Sequence, residues 1–254
     1  DKAGIDIRIK PGTKHESVHI PVVVSASGLK EMVYNDFFIG DDADVVIVAG
    51  CGIHNCGDQD SEHDGIHRFF VGRNARVKYV EKHYGEGDGE GKRILNPGTE
   101  VYMEENSYME METTQIKGVD STVRTTNAKL GPRATLIIRE KVMTHGRQLA
   151  KSDFTVDLDG EDCHTNVISR SVAKDQSRQV FLARINGNAR CYGHSECDAI
   201  IMDQGVVAAI PEVTANCVDA SLVHEAAIGK IAGEQLIKLM TLGLTEKEAE
   251  EQIV

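Results

Sequence analysis

The chain has 254 residues, 41% of them hydrophobic, so it is long enough to bury a continuous core as one large domain or two smaller ones. Its 40 acidic residues outweigh its 28 basic residues and give a formal net charge of −12, which disfavours nucleic acid and anionic membrane surfaces as partners. No apolar run approaches the roughly 18 to 20 residues of a membrane span, so we expect a soluble, cytoplasmic protein.

A short phrase recurs along the chain and predicts a repeat architecture. Each copy has an apolar residue, a Gly, a polar or Pro corner, an Ala and then alternating strand-like residues. The copies are FIGDDADVVIVAG (38–50), FVGRNARVKYVEK (70–82), KLGPRATLIIREK (129–141) and INGNARCYGHSEC (185–197). Gly, Asn and Asp favour tight or left-handed turns at the corners, and a small Ala lets one coil approach the next.

The segments between these copies favour many short strands. They are alternating runs rich in Thr, Val and Ile, and almost no helix signal precedes about residue 220. With no Trp and only 5% aromatic residues, the chain lacks the ring-filled core common in β-sandwiches. The pattern therefore predicts a mainly β solenoid of stacked coils, with a sandwich or jelly roll as the alternative.

The pattern changes to helical spacing at the C-terminal end of the sequence. Apolar residues recur there every three to four positions, and Gly243 predicts the end of a first helix. Thr245 followed by Glu248 forms a capping box that opens a second short helix. We therefore predict a β domain over residues 1–226 and a helical hairpin over residues 227–254, which either caps the core or binds a partner.

The segment CGIHNCGDQDSEHDGIH is the densest group of thiols and imidazoles. It contains Cys51, His54, Cys56, His63 and His67, and this mixture of soft and borderline ligands suits zinc, iron or an iron–sulfur species. Its spacing matches no standard zinc-finger pattern. Two alternatives stay open from the residues: metal or sulfur handling, including a zinc enzyme centred on His54, His63 and His67, or a polar loop with incidental histidines.

A second group of candidate ligands lies around the segment GHSECDAIIMD. A strand alternates its side chains, so Cys191, Ser195 and Cys197 are predicted on one face and His194 and Glu196 on the other. Cys191 and Cys197 would be about 20 Å apart along a straight strand. Only one of the two is therefore expected to be a metal ligand within one subunit.

Several segments together resemble the SufB/SufD family of iron–sulfur cluster assembly scaffolds. They are VIVAGCGIHNCG, HRFFVGRNARVKYVE, GHSECDAIIMD and ASLVHEAAIGKIAGEQLIKLMTLGLTEKEAEEQIV, and the resemblance extends from about residue 30 to residue 254. It implies a right-handed parallel β-helix with a helical C-terminal end. It also implies a scaffold rather than an enzyme, driven by a separate SufC-like ABC-type ATPase.

The resemblance also implies roles for single residues. Cys51 stands at the position implicated in accepting sulfur, and Cys197 at the position implicated in holding the nascent cluster, with His224 and Glu225 as further metal ligands. Nearby imidazole and glycine amides are expected to lower the pKa of the Cys51 thiol toward neutrality. Val223 departs from the family's Glu-His-Glu stretch. The additional thiols that could supply the missing ligand are Cys217, Cys191 and Cys56.

The implied partners and cargo follow from the same resemblance. The C-terminal segment matches the region that binds the ATPase, and its expected contact residues are Lys230, Glu234, Gln235, Leu236 and Leu239. Further expected partners are a second copy of the chain or a paralogous scaffold subunit, a cysteine desulfurase or other sulfur donor, and apo iron–sulfur proteins. The cargo would be a transient 2Fe-2S or 4Fe-4S cluster. A SufD-like structural adaptor that carries no cluster is the alternative.

Overall fold

The computed structural model describes residues 3–230 and residue 245, and the described chain forms two sheets of parallel strands. The first sheet contains β1 (Gly4–Ile9), β3 (Lys30–Ile39), β5 (Ser61–Val71), β7 (Arg93–Leu95), β8 (Gly98–Met103), β10 (Ser121–Leu130), β12 (Leu149–Leu158), β14 (Arg178–Gly187) and β16 (Val206–Ala215). The second sheet contains β2 (Lys14–Val24), β4 (Asp44–His54), β6 (Arg76–Glu86), β9 (Tyr108–Lys117), β11 (Thr135–Thr144), β13 (Cys163–Ala173), β15 (Cys191–Ile201) and β17 (Ala220–Lys230).

The chain passes back and forth between the two sheets, so the strands form a parallel β-solenoid of about 8 turns. Each coil pairs with the coils before and after it, and the apolar core lies between the two sheets. The predicted mainly β solenoid is therefore confirmed, and the sandwich or jelly roll is wrong for the described residues. The right-handed sense of the coil stays a prediction.

The predicted helical hairpin lies outside the described residues. β17 continues to Lys230, so the strands extend four residues past the boundary predicted at residue 226. Lys230 is the last residue of this strand, and the other predicted ATPase contacts lie beyond it, outside the described part. Within residues 3–230, the structure contains no helix long and apolar enough to cross a bilayer.

The corners of the repeats adopt the conformations that the sequence predicts. Asp42 and Asn74 have left-handed backbones with φ of 60° and 57°. The amide of Asn74 donates a hydrogen bond to Asp42 Oδ1 at 3.0 Å, and the amide of Asn106 donates to Asn74 Oδ1 at 2.8 Å. Ala43 and Ala75, which follow two of these corners, are completely buried. A ladder of corner side chains thus sets the spacing between successive coils.

Side chains at equivalent positions of successive coils stack in rows inside the solenoid. Phe37 and Phe69 are register partners whose rings stack with centroids 4.5 Å apart, and Tyr79 from the second sheet packs against Phe69 at 4.8 Å. A parallel row on the outer surface stacks Phe38 on Phe70 at 5.0 Å. Because pairing is parallel and in register, each side chain meets the residue at the same level of the next coil.

Replacing Asn74 with Ala should lower the free energy of unfolding by about 1–3 kcal/mol, because Ala loses the amide hydrogen bonds and strains the left-handed backbone. Asn74→Gly is the matched control, since Gly adopts this backbone without strain and loses only the side-chain bonds. Denaturant unfolding should rank the wild type above the Gly variant and the Gly variant above the Ala variant. Equal losses in the two variants would show that backbone strain does not matter at this corner.

Candidate functional site

β15 carries the second group of candidate ligands and places them on two faces. Cys191, Ser195 and Cys197 point into the solenoid and are buried. His194 and Glu196 point outward and are half-buried. The predicted alternation along this strand is therefore confirmed.

Cys197 lies on the inner face between the neighbouring strands β13 and β17. Its register partners are Ser169 and Ala226, and its side chain is buried. Burial raises the pKa of the Cys197 thiol to about 11, with further contributions from the carboxylates of Glu140 and Asp198. The thiol is therefore protonated at neutral pH, and an incoming metal ion has to displace its proton.

His224 joins Cys197 on the inner face from β17. It is the register partner of Ser195, and its Nδ1 shares a hydrogen bond of 2.7 Å with Ser195 Oγ. Burial and the neighbouring His194 lower the pKa of His224, against an opposing effect of Glu225. His224 is therefore neutral at neutral pH, with Nε2 as the ring nitrogen that remains for a metal ion.

Glu225 does not join Cys197 and His224, because consecutive residues of a strand point to opposite faces. Its carboxylate lies on the outer face, where Oε2 is 3.4 Å from His194 Nε2. Glu196 is its register partner. Among the described residues, His194, Glu196 and Glu225 are the group whose ligand atoms converge for one metal ion, all within 4.8 Å of one another.

Cys51 is also buried on the inner face, at the far end of the same sheet. It lies on β4 with His83 as a register partner, and its side chain is 5% exposed. Burial raises the pKa of the Cys51 thiol to about 12, with Glu81 adding to the effect and Arg124 opposing it. The expected lowering of this pKa is therefore wrong, because desolvation and a buried carboxylate dominate over nearby imidazoles and amides.

The fold divides the dense group of thiols and imidazoles in the first half of the chain. His63 and His67 are buried between the sheets, where His67 Nδ1 lies 2.6 Å from the Tyr79 hydroxyl. His54 and Cys56 are exposed at the end of β4, with His54 Nε2 3.1 Å from the Cys56 sulfur. The structure therefore does not bring His54 together with His63 and His67.

The additional candidate thiols Cys191 and Cys217 lie at or beside the start of β15, away from Cys197. Cys163 and Cys191 are buried register partners on β13 and β15. Burial raises the pKa of Cys191, with a contribution from Cys217, which places Cys217 near Cys191. Cys191 precedes Cys197 by six residues, about 20 Å along a strand, which agrees with one ligand per subunit from this strand.

A chain of buried polar side chains connects the surroundings of Cys51 with those of Cys197. We call it the interior polar column, and its members are His83, Glu81, Arg124, Glu140 and Ser169. Arg124 donates hydrogen bonds to His83 Nδ1 at 3.1 Å and to Glu81. Its Nε lies 3.6 Å from Glu140 Oε1, and Ser169 donates to Glu140 Oε2 at 2.9 Å. Since Cys51 neighbours His83 and Cys197 neighbours Ser169, the column runs from one thiol to the other.

The column holds charged groups inside the solenoid. Burial alone would raise the pKa of Glu81, but His83, Arg124 and His67 lower it well below its ordinary range. Burial acts to lower the pKa of Arg124, but Glu81 and Glu140 raise it above its ordinary value. Both side chains therefore stay ionised at neutral pH, and each compensates the buried charge of the other.

Some side-chain oxygens beside the column have no hydrogen-bond partner among the residues that the structure describes. They are Thr113 Oγ1, Gln115 Oε1 and Thr126 Oγ1. Thr113 is the register partner of both Glu81 and Glu140, so it lies within the column's path. Buried polar atoms normally find a partner, often an internal water, so this region is suited to binding small polar species.

The column residues were missed by sequence reasoning. Glu81, Arg124 and Glu140 stand in alternating polar runs that resemble the exposed face of a strand. The available signal was the alternation of side chains along the strand. Glu81 falls on the same face as Val77 and Tyr79, whose side chains are apolar or aromatic. A charged residue that falls on the otherwise apolar face of a strand indicates a buried polar site.

The sequence matches the model of a known protein family. Residues 28–254 match the family described as "SUF system FeS cluster assembly, SufBD core domain", so the chain belongs to the SufBD family. An iron-sulfur cluster assembly SufBD family protein of Archaeoglobus fulgidus is 30% identical over 259 residues, covering 100% of this chain and 68% of that protein. A similar protein of Methanocaldococcus jannaschii is 27% identical over 251 residues, covering 98% of this chain and 78% of that protein. The family resemblance of the sequence is confirmed.

A soluble alkylating agent should modify Cys56 rapidly in the folded protein and Cys51 and Cys197 much more slowly. Cys56 is exposed, whereas burial raises the pKa values of the Cys51 and Cys197 thiols to about 12 and about 11. Timed labelling followed by peptide mass spectrometry measures the three rates, and labelling in denaturant shows that all three thiols can react. Equal rates for Cys51 and Cys56 in the folded protein would contradict the buried placement.

Proposed function

We propose that the chain is an iron–sulfur cluster assembly scaffold of a SUF-type system, which accepts sulfur at Cys51 and builds a cluster at Cys197 for apo-proteins. The observation that carries this proposal is the inner-face pair of Cys197 and His224 at one end of a buried polar column whose other end is Cys51. Membership of the SufBD family supports the class of process. The geometry of the site supports the choice of Cys51, Cys197 and His224 as the residues that take part.

The ligands on the inner face suit a cluster that has to be released. Cys197 offers one thiolate and His224 one neutral imidazole, whereas four thiolates would favour retention. A second copy of the chain, related by two-fold symmetry, would supply the same pair again. Two thiolates and two imidazoles provide the four protein ligands that a 2Fe-2S or a 4Fe-4S cluster takes. We therefore propose that the cluster forms between two copies or between this chain and a paralogous subunit.

Sulfur has to travel between the two cysteines if both act. Cys51 and Cys197 lie on β4 and β15, five strand positions apart in the second sheet, which is about 24 Å. This distance excludes direct transfer within one chain. The interior polar column supports a route through the solenoid, because it lines the interior with buried polar side chains and the unpartnered hydroxyls of Thr113 and Thr126 can donate hydrogen bonds to a sulfur species.

The Cys197→Ser variant should lose most of the cluster that the wild type forms with ferrous iron and sulfide under anaerobic conditions. Since the pKa of Cys197 is raised to about 11, metal binding has to displace a proton, so cluster formation by the wild type should increase between about pH 7 and pH 9. Visible absorption and iron and sulfide analysis measure both effects.

Cys163→Ser is the matched control for this experiment, because Cys163 is equally buried on the adjacent strand and lies away from Cys197. It should reconstitute like the wild type. Full reconstitution of Cys197→Ser would contradict the assignment. Wild-type protein that takes up neither iron nor sulfide would contradict the scaffold function and favour a structural adaptor without a cluster.

The energy for assembly is proposed to come from a separate SufC-like ABC-type ATPase, since the sequence contains no Gly-rich phosphate loop with Lys-Ser/Thr. Deleting residues 231–254 leaves β17 intact and should abolish co-purification with that ATPase. Affinity purification of both proteins from a co-expressing strain measures it. Unchanged co-purification, with circular dichroism showing a folded β-solenoid, would contradict the proposed binding segment.

A further inference from the structure

The outer face of β15 and β17 carries a second set of converging ligands, separate from Cys197 and His224. It consists of His194, Glu196 and Glu225, whose ligand atoms all lie within 4.8 Å of one another. His194 and Glu196 are half-buried, and Glu225 is exposed. The three side chains therefore form an open tripod on the surface of the second sheet.

A neighbouring strand fixes which nitrogen of His194 faces the carboxylates. His194 Nδ1 donates a hydrogen bond to Asn166 Oδ1 at 2.9 Å, so in the neutral ring Nε2 carries the lone pair. This lone pair faces Glu225 Oε2 at 3.4 Å. A proton on Nε2 would make this contact an ion pair, and with the neutral ring the nitrogen and the carboxylate oxygen can bind one cation together. Metal-bound histidines are typically oriented by such a hydrogen bond from the other ring nitrogen.

The carboxylates of the tripod are crowded by like charge. Glu196 and Glu225 are register partners on adjacent strands, an arrangement that destabilises a sheet when both are ionised. The guanidinium of Arg170 comes no closer than 3.9 Å to the Glu196 carboxylate and 4.0 Å to the Asp198 carboxylate, so it only partly offsets this negative charge.

Other carboxylates on the same outer face are neutralised differently. Glu112 accepts a hydrogen bond from Lys78 at 3.1 Å, and Glu110 accepts one from Arg139. At the position of Glu225, the ion-pair partner is the imidazole of His194 instead of a permanent positive charge. The tripod therefore combines the ligands for a cation with a local excess of negative charge.

We propose that His194, Glu196 and Glu225 bind a divalent transition-metal ion, and that this site supplies ferrous iron to the assembly of the cluster. One imidazole and two carboxylates suit ions such as Fe²⁺ and Mn²⁺ better than soft thiophilic ions. Glu196 directly precedes Cys197, so the two sites lie on opposite faces of one strand. Binding of the metal ion by this site does not depend on the proposed function. The use of that ion as iron for a cluster rests on the proposed function.

Binding of Mn²⁺ to the full chain under anaerobic conditions tests the site, because Mn²⁺ prefers oxygen and nitrogen ligands to thiolates. Electron paramagnetic resonance reports the free aqueous ion and so measures the bound fraction. We expect one tight site per chain, and His194→Ala and Glu225→Gln should each weaken it by at least about tenfold. Asn166→Ala should weaken it by about tenfold, because Asn166 positions the imidazole without touching the ion.

The matched control is His164→Ala, which removes an imidazole from the same face of the adjacent strand β13. His164 lies beside the Tyr192 ring, with centroids 6.2 Å apart, and outside the tripod. This variant should bind Mn²⁺ like the wild type. Absence of a tight site in the wild type, or unchanged affinity in both His194→Ala and Glu225→Gln, would overturn the metal site.

Two further measurements separate this proposal from the proposed function. Cys197→Ser should bind Mn²⁺ normally even though it fails to form a cluster, and loss of Mn²⁺ binding in this variant would overturn the placement of the site on the outer face. His194→Ala should form the cluster more slowly than the wild type when Fe²⁺ is limiting and equally well when Fe²⁺ is in excess. Equal rates at limiting Fe²⁺ would overturn the iron-supply role.

Discussion

In-register parallel pairing between successive coils is the constraint on which the rest of the structure depends. It stacks each side chain on the residue at the same level of the next coil, as Phe69 stacks on Phe37 and Cys191 on Cys163. Because side chains alternate with a period of two, a slip of one residue would exchange the inner and outer faces of a strand. The corner ladder through Asn74 opposes such a slip. The chemistry of both faces therefore depends on the register.

Burying the charged side chains of the interior polar column costs free energy. This cost is offset only while the charged members of the column remain paired with one another. Removing one partner of a buried ion pair typically costs about 3–5 kcal/mol, because the remaining charge is left uncompensated. In this protein the charge of Glu81 is compensated by Arg124, which also approaches Glu140. A purely apolar core would avoid this mutual dependence. Stability alone therefore does not explain the column, and the sulfur route proposed above gives it a role.

The two faces of β15 separate two kinds of ligand chemistry by the thickness of one strand. The inner face presents a buried thiol with a raised pKa on the same face as a neutral imidazole, and the outer face presents carboxylates and a second imidazole to the solvent. A protonated thiol in the core is protected from oxidation and alkylation until a metal ion displaces its proton. Carboxylates at the surface exchange ions with the solvent readily. The strand therefore places the proposed cation site directly behind the proposed cluster site.

The sequence by itself determined the local features of this protein. The recurring corner phrase predicted a solenoid, and the alternation from Cys191 to Cys197 predicted which side chains share a face, since both follow from the period of two and from turn chemistry. Pairing between coils was decided only by the tertiary structure, because it joins residues about one coil apart, such as Ser195 and His224, 29 positions apart. That register put Glu225 with His194 rather than with Cys197. It also buried Cys51 beside Glu81, where desolvation reverses the effect expected from its sequence neighbours.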